Sequence, residues 1–172
     1  MQKDFSYTLN IDELKQTEQK YDIKADFDNL NVIKEILQIE DVKSFEAHVC
    51  LKLSRKQHRL DIKGEVKADV VLKSVITLEN FEKTYIVPFA HWYDTDLTYQ
   101  DLQDMDFSIF DDAPDIIENN QIDLVQICLE QLSLALDDYP RKEGEKFHFK
   151  TEFDEETTKA AHPFAALKAL KK

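Results

Sequence analysis

Residues 45–53 alternate without a break. Phe45, Ala47, Val49, Leu51 and Leu53 are interleaved with Glu46, His48, Cys50 and Lys52. A period of two puts every apolar side chain on one face of an extended strand, which no helix can do. The polar link Ser54-Arg55-Lys56-Gln57 follows, and Leu60, Ile62 and Val66 resume the period. The pattern predicts a β-hairpin with one apolar face. Gly64 interrupts its return strand and marks a bulge or a close backbone approach.

The neighbouring segments extend the sheet. Ala68 to Leu78 is apolar on both sides, with Val70, Leu72 and Ile76 on one and Val71 and Val75 on the other. That predicts a central strand covered on both faces. Thr84 to Phe89 predicts a further strand ending near Pro88, and Phe5 to Ile11 a first one. Asp41 to Ser44 is expected to turn. Short connections without helices imply antiparallel pairing. Asn31 is expected to cap a short helix carrying Val32, Ile33, Ile36 and Leu37. Ile122 to Leu136 is the strongest helical pattern, with Asn120 as cap, Asp123 in the first turn and a stripe through Ile122, Val125, Cys128, Leu129, Leu132 and Leu136. Ile127 and Leu134 fall on its other side, either as a second contact surface or because the helix is nearly surrounded. Pro140 ends it. Residues 90–120 are expected to be a long acidic connection, with one strand near Phe107 to Phe110 and with its aromatics (Trp92, Tyr93, Tyr99, Phe107 and Phe110) either tacked onto the sheet or serving as anchors for a partner.

The fold class that follows is α+β: an antiparallel sheet or partly closed barrel of about five to seven strands, one long amphipathic helix packed on it, and short flanking helices. Residues 1–143 are expected to form a single domain. Residues 144–172 are expected to be a polar, partly mobile tail with a short C-terminal helix opened by Pro163.

Charge is divided along the chain. No lysine or arginine occurs between Lys83 and Arg141, and the acids of that span account for the entire net charge of −13. The remainder is neutral. Such a split repels phosphate over one region and leaves another free to meet it. The hairpin carries Arg55, Lys56, Arg59 and Lys63, with Lys52 and His58 beside them, and these four are the candidate RNA-binding residues. The alternative is an edge strand guarded against aggregation by cations. Asp104, Asp106, Asp111 and Asp112 are the candidate face for a basic protein partner.

Several chemistries are disfavoured. Gly64 and Gly144 are the only glycines, too few for a phosphate-cradling loop or a dinucleotide fingerprint. No apolar run has the length of a membrane span, and the N-terminus has no signal-peptide pattern. Cys50 and Cys128 suit a reducing compartment, so the cytoplasm is expected. Asp94-Thr95-Asp96 and Asp104-Met105-Asp106 contain carboxylate pairs. The calcium-loop positions counted from Asp94 hold Tyr99 and Met105 instead of glycine and glutamate. No metal, cofactor, small-molecule substrate or catalytic residue is expected.

Three segments in order resemble a known bacterial family. Gly64-Glu65-Val66-Lys67-Ala68, running to Thr77-Leu78-Glu79, resembles its sheet motif. Asp123, Glu130, Leu136, Pro140 and Arg141 stand in the helix motif, and Pro163-Phe164 with Leu170-Lys171 in a C-terminal signature. The family is that of the large ribosomal RNA subunit accumulation protein, YceD, and the likeness is to its α-proteobacterial form. Departures occur at Leu72, Ser74, Asn80 and Asp138, where Gln, Cys, Pro and Pro are usual. The absent Cys argues further against thiol or metal chemistry. The resemblance implies a role in building the large ribosomal subunit, through accumulation or processing of its 23S rRNA; together with the residue readings above, the expected function is that of a cytoplasmic, non-enzymatic assembly factor. Its partners would be that rRNA or its precursor, basic large-subunit ribosomal proteins, or both. The alternatives are an acidic interaction module unrelated to ribosomes and a divalent-metal nuclease using the Asp-x-Asp pairs.

Overall fold

The computed structural model describes residues 5–98, 100–101, 115–117 and 119–146. The alternating segment forms β3 (Asp41–Ser54), and the return strand forms β4 (Arg59–Lys73). A 3-10 turn over Arg55–Gln57 joins them, and His58 closes it in the left-handed region at φ 49°. The other elements are β1 (Thr8–Asn10), β2 (Gln19–Lys24), α1 (Phe27–Leu37), β5 (Asn80–Asp94), β6 (Asp115–Ile116), β7 (Gln121–Asp123) and α2 (Leu124–Ala135).

Five strands form one sheet in the order β2-β3-β4-β5-β6, while β1 and β7 form a separate pair. The expected α+β class holds. The expected purely antiparallel sheet does not, because β6 pairs parallel to β5 at Tyr93 and Asp94. A parallel return needs a long connection, and residues 95–114 supply its length. The sheet is open, so the barrel alternative also falls: β2 and β6 are its two edges and do not pair. Phe107 to Phe110 and the expected C-terminal helix lie outside the described residues.

Register divides the sheet into two unequal faces. Val49 sits opposite Gly64 and Gly64 opposite Phe89, so Tyr21, Val49, Gly64 and Phe89 form one row across four strands. Rows of this parity hold Phe45, Ala47, Leu51, Leu53, Leu60, Ile62, Val66, Ala68 and Val70, all nearly inaccessible to solvent. Helices α1 and α2 pack on this face, α1 against β3 and α2 against β4 and β5. Each fully buried Leu or Ile contributes about 1.5–3 kcal/mol, so this side supplies most of the driving force.

The other face is bare among the described residues, contrary to the two-sided cover expected for residues 68–78. Val71 is half-buried and Val75 is exposed. That run is also not one strand. It continues β4 to Lys73 and then turns at Ser74–Glu79, with Leu78 at φ 61°. Pro88 does not end its strand either. Along most of β5 the outer edge has no neighbour, so the missing N–H removes no ladder bond. The expected turn at Asp41–Ser44 is instead strand, with an irregularity in register between Val42 and Ser44.

Two helix starts differ from expectation because shorter-range acceptors win. Asp26, not Asn31, caps α1, taking the Asn29 amide at 2.9 Å. Asp123, not Asn120, caps α2: its Oδ1 accepts from the amides of Val125 (2.9 Å), Gln126 (3.3 Å) and Tyr7 (3.0 Å). One carboxylate thus starts the helix and fastens the first strand pair to it. Ile127 is buried by its own domain, whereas Leu134 is 81% exposed. At its far end, Asp137 accepts hydrogen bonds from Lys83 Nζ and Tyr85 Oη on β5.

Three outcomes follow. Leu132 is fully buried under α2, so Leu132→Ala should cost about 2–5 kcal/mol by urea denaturation. Gly64 marks a close approach, not a bulge, since its pairing runs straight through. A Cβ there would sit 2.4 Å from the His48 carbonyl oxygen and 2.8 Å from Phe89 Cζ. Gly64→Ala should therefore cost about 1–3 kcal/mol in the same assay. The Lys83 ammonium and Tyr85 hydroxyl hold the Asp137 carboxyl below its ordinary range. A depressed folded pKa contributes stability above the unfolded value, and that contribution is lost as pH falls through the folded one. Asp137→Asn should thus lower Tm at neutral pH and narrow the difference from wild type in acid.

Candidate nucleic-acid interface

The four hairpin cations separate into two places. Arg55 and Lys56 stand at the tip, and Arg59 and Lys63 lie on the bare face of β4. The tip is interleaved with acidic residues. Arg55 Nη2 donates to the Asp12 carbonyl oxygen at 2.9 Å, and His58 Nδ1 lies 2.5 Å from Asp96 Oδ2. An isolated positive tip is therefore not what the fold builds. Nor are the hairpin strands edge strands: both are interior to the sheet, so the aggregation-guard reading does not apply to them.

The bare face gathers cations that sequence spacing keeps apart. Lys20 pairs with Cys50, Cys50 with Lys63, and Lys63 with Ala90, making one row from β2 to β5. The next row is Lys52, Asp61 and Trp92, and the one beyond is Ser54, Arg59 and Asp94. Lys20, Lys52 and Lys63 are exposed, and among the described residues none of them makes an ion pair. Arg59 is held on two sides. Its Nε and Nη2 each lie 2.7 Å from Asp61 Oδ1, and its guanidinium carbon sits 4.6 Å from the Trp92 ring centroid.

Further along the same face three of the acids are occupied. Asp22 lies 2.6 Å from His48, Glu46 is 2.6 Å from Lys24, and Asp69 accepts from Ser44 (2.6 Å) and Thr84 (2.5 Å). These two hydroxyls hold the Asp69 carboxyl below its usual range. The positive half of the face is therefore the half nearer the hairpin tip.

Two shallow grooves flank the Lys20–Lys63 row. One, of about 530 Å³, separates it from Asp22, His48 and Glu65. The other, of about 410 Å³, runs between Lys63 and the Lys52–Trp92 row. Lys20 is the member that sequence reasoning missed, and Trp92, expected in a loop as a partner anchor or a tack on the sheet, is not placed beside the cations by that reasoning. Trp92 belongs to β5 and not to a loop, and the signal was present: the alternation of Tyr85, Val87 and Phe89 continues through His91 and Tyr93.

No reactive thiol or metal cage appears among the described residues. Burial pushes the Cys128 thiol up to about 12, and burial with the nearby Glu18 raises that of Cys50, which disfavours thiolate at neutral pH. Asp94 Oδ1 accepts from the amides of Asp96 (2.8 Å) and Leu97 (3.1 Å), so this carboxylate closes its own turn. No group of three His, Cys, Asp or Glu able to hold a metal occurs among the described residues, and no helix there is long and apolar enough to cross a membrane. Asp104, Asp106, Asp111 and Asp112 lie outside them. A third, acidic groove of about 400 Å³ lies between β6, β7 and α2, lined by Asp115, Asp123 and Glu130.

The family-motif positions gather elsewhere. Beyond Gly64 and buried Ala68, the motif residues Thr77, Leu78 and Pro140 belong to the β4–β5 turn and its anchor, together with Glu145 and with Ser74, which departs from the family pattern. Ser74 is buried; its Oγ accepts from the amides of Ile76 and Thr77 and donates to Glu145 Oε2 at 2.5 Å. Thr77 Oγ1 donates to Glu145 Oε1 at 2.7 Å, and the Val75 amide donates to the Pro140 carbonyl oxygen at 3.0 Å. Leu78 supplies the left-handed residue of that turn. Asp123 caps α2, Leu136 ends it, and Glu130 accepts from Gln126 at 2.9 Å. Arg141 is exposed, while Pro163 and Phe164 lie outside the described residues. These are mostly structural roles, and of these positions Gly64 alone adjoins the cationic rows, next to Lys63.

Comparisons agree with the residue likeness. Neither curated proteins nor solved structures give a match to the chain. The family model described as large ribosomal RNA subunit accumulation protein YceD matches residues 62–171, more than half of the sequence. The chain belongs to the YceD family of large ribosomal RNA subunit accumulation proteins.

Proposed function

We propose that the protein supports accumulation or processing of 23S rRNA as a non-enzymatic, cytoplasmic factor that holds RNA on the bare face of its sheet. The observation that carries this reading is the exposed set Lys20, Lys52 and Lys63 on a face left uncovered among the described residues. In a chain of net charge −13, such a strip decides how a polyanion can approach, because the acidic regions repel it. Lysines that neutralise phosphates also release condensed counterions, so contact of this kind weakens steeply with salt.

A second contact, with basic large-subunit ribosomal proteins, is favoured by the groove of Asp115, Asp123 and Glu130. It lies beside α2, on the helix-covered side, so an rRNA and a cationic protein would not compete for it. Under this reading Asp115, Asp123 and Glu130 keep RNA off the protein-binding side.

Sucrose-gradient sedimentation tests the proposal. Wild-type protein should peak with immature large subunits, and the Lys20→Glu, Lys52→Glu, Lys63→Glu triple variant should leave that peak while its circular dichroism is retained. With purified rRNA, the slope of log K against log salt should fall by about two. A triple variant that sediments as wild type would remove the bare face from the function. Wild type that never meets a ribosomal particle would favour an acidic interaction module instead.

A further inference from the structure

We infer that the RNA segment held on the bare face is single-stranded and stacks one base on the Arg59–Trp92 pair. The inference rests on the proposed RNA contact and specifies which RNA that contact accepts.

The platform is already built. Asp61 grips two nitrogens of Arg59 through one oxygen at 2.7 Å, and Trp92 lies under the guanidinium at 4.6 Å. The guanidinium carbon sits over the ring while 42% of the Arg59 side chain remains exposed, and it is on this exposed part that the base would stack. Single strands expose base faces that stack on aromatic rings or guanidinium planes, while a duplex keeps its bases stacked inside. Fixing the guanidinium beforehand removes the ordering cost that a free arginine would bear on binding.

The surroundings suit a strand that crosses the β-strands. The lysine row and its two flanking grooves run from β2 to β5, three steps of about 4.8 Å, or about 14 Å. That length accommodates a few nucleotides. Lys63 and Lys20 lie along the row for the phosphates, and Lys52 stands one row nearer the platform. The grooves are shallow and the sheet open, so a flexible backbone can follow them where a rigid double helix would touch only a ridge. Asp61 acts here as a positioning residue: it orients Arg59 and is not expected to touch RNA.

Trp92 is the only tryptophan of the chain, so its fluorescence reports directly on the platform. The full chain is titrated with an oligouridine of about ten nucleotides and with an RNA duplex of equal phosphate count, at two salt concentrations. The single strand should quench Trp92 and bind about tenfold or more tightly than the duplex, by the usual worth of a stacked base. Arg59→Lys keeps the charge and loses the plane. It should weaken oligouridine binding about fivefold or more with the salt slope unchanged. Lys52→Gln leaves the platform intact and should reduce both affinity and slope. Circular dichroism and Tm check that each variant is folded. Equal binding of duplex and single strand would overturn the single-strand inference while leaving the RNA contact standing. A preference for the single strand that Arg59→Lys does not diminish would overturn the stacking assignment. Binding of neither RNA would remove the underlying RNA reading itself.

Discussion

The structure depends on burying one face of a four-strand antiparallel array under two short helices. Rows from Leu53–Leu60 to Val42–Val70 point inward, and α1 and α2 close over them. Neither helix is long, and isolated helices of eleven or twelve residues are marginal in water. They hold because α2 sends Leu124, Val125, Cys128, Leu129 and Leu132 into the sheet, and because Asp123 and Asp137 fasten its two ends to other elements. Gly64 allows a close approach, since a Cβ there would run into the His48 carbonyl oxygen and the Phe89 ring. The driving force is thus spent on one side, and the opposite face carries no comparable apolar surface to cover.

That asymmetry sets the electrostatics. On the bare face away from the hairpin tip, Asp22, Glu46 and Asp69 are tied to His48, Lys24, Ser44 and Thr84. The lysines nearer the hairpin tip are not so tied. Pairing along strands, more than overall composition, decides where positive potential survives on an acidic protein. The hairpin tip, rich in cations by sequence, is tempered by the Asp12 carbonyl and by Asp96. The flat face below it keeps its charge.

Much of this was legible in the sequence. The alternation through Phe45–Leu53 and Leu60–Val66 placed the hairpin and its buried face correctly, because period two admits one geometry. The stripe of α2 placed Leu132 in the core. What failed did so for local physical reasons. Asp26 and Asp123 displaced Asn31 and Asn120 as caps by sitting closer to the free amides. Pro88 was tolerated because its edge is unpaired. Val71 and Val75 suggested a second covering layer, yet one of them lies in the strand and the other in the turn beyond it. The candidate site was half legible: Arg59 and Lys63 stand out by spacing and the alternation through Tyr93 carries Trp92 on a strand, but Lys20 joins them only through strand order, which spacing along the chain does not encode.

Peptide-level ultraviolet crosslinking of the full chain to rRNA, read by mass spectrometry, tests the central claim most directly. The account predicts RNA adducts on the segments containing Lys20, Lys52 to Lys63, and Ala90 to Trp92, with none on α2. Adducts confined to α2 and the β6–β7 groove, or spread evenly over the chain, would contradict it.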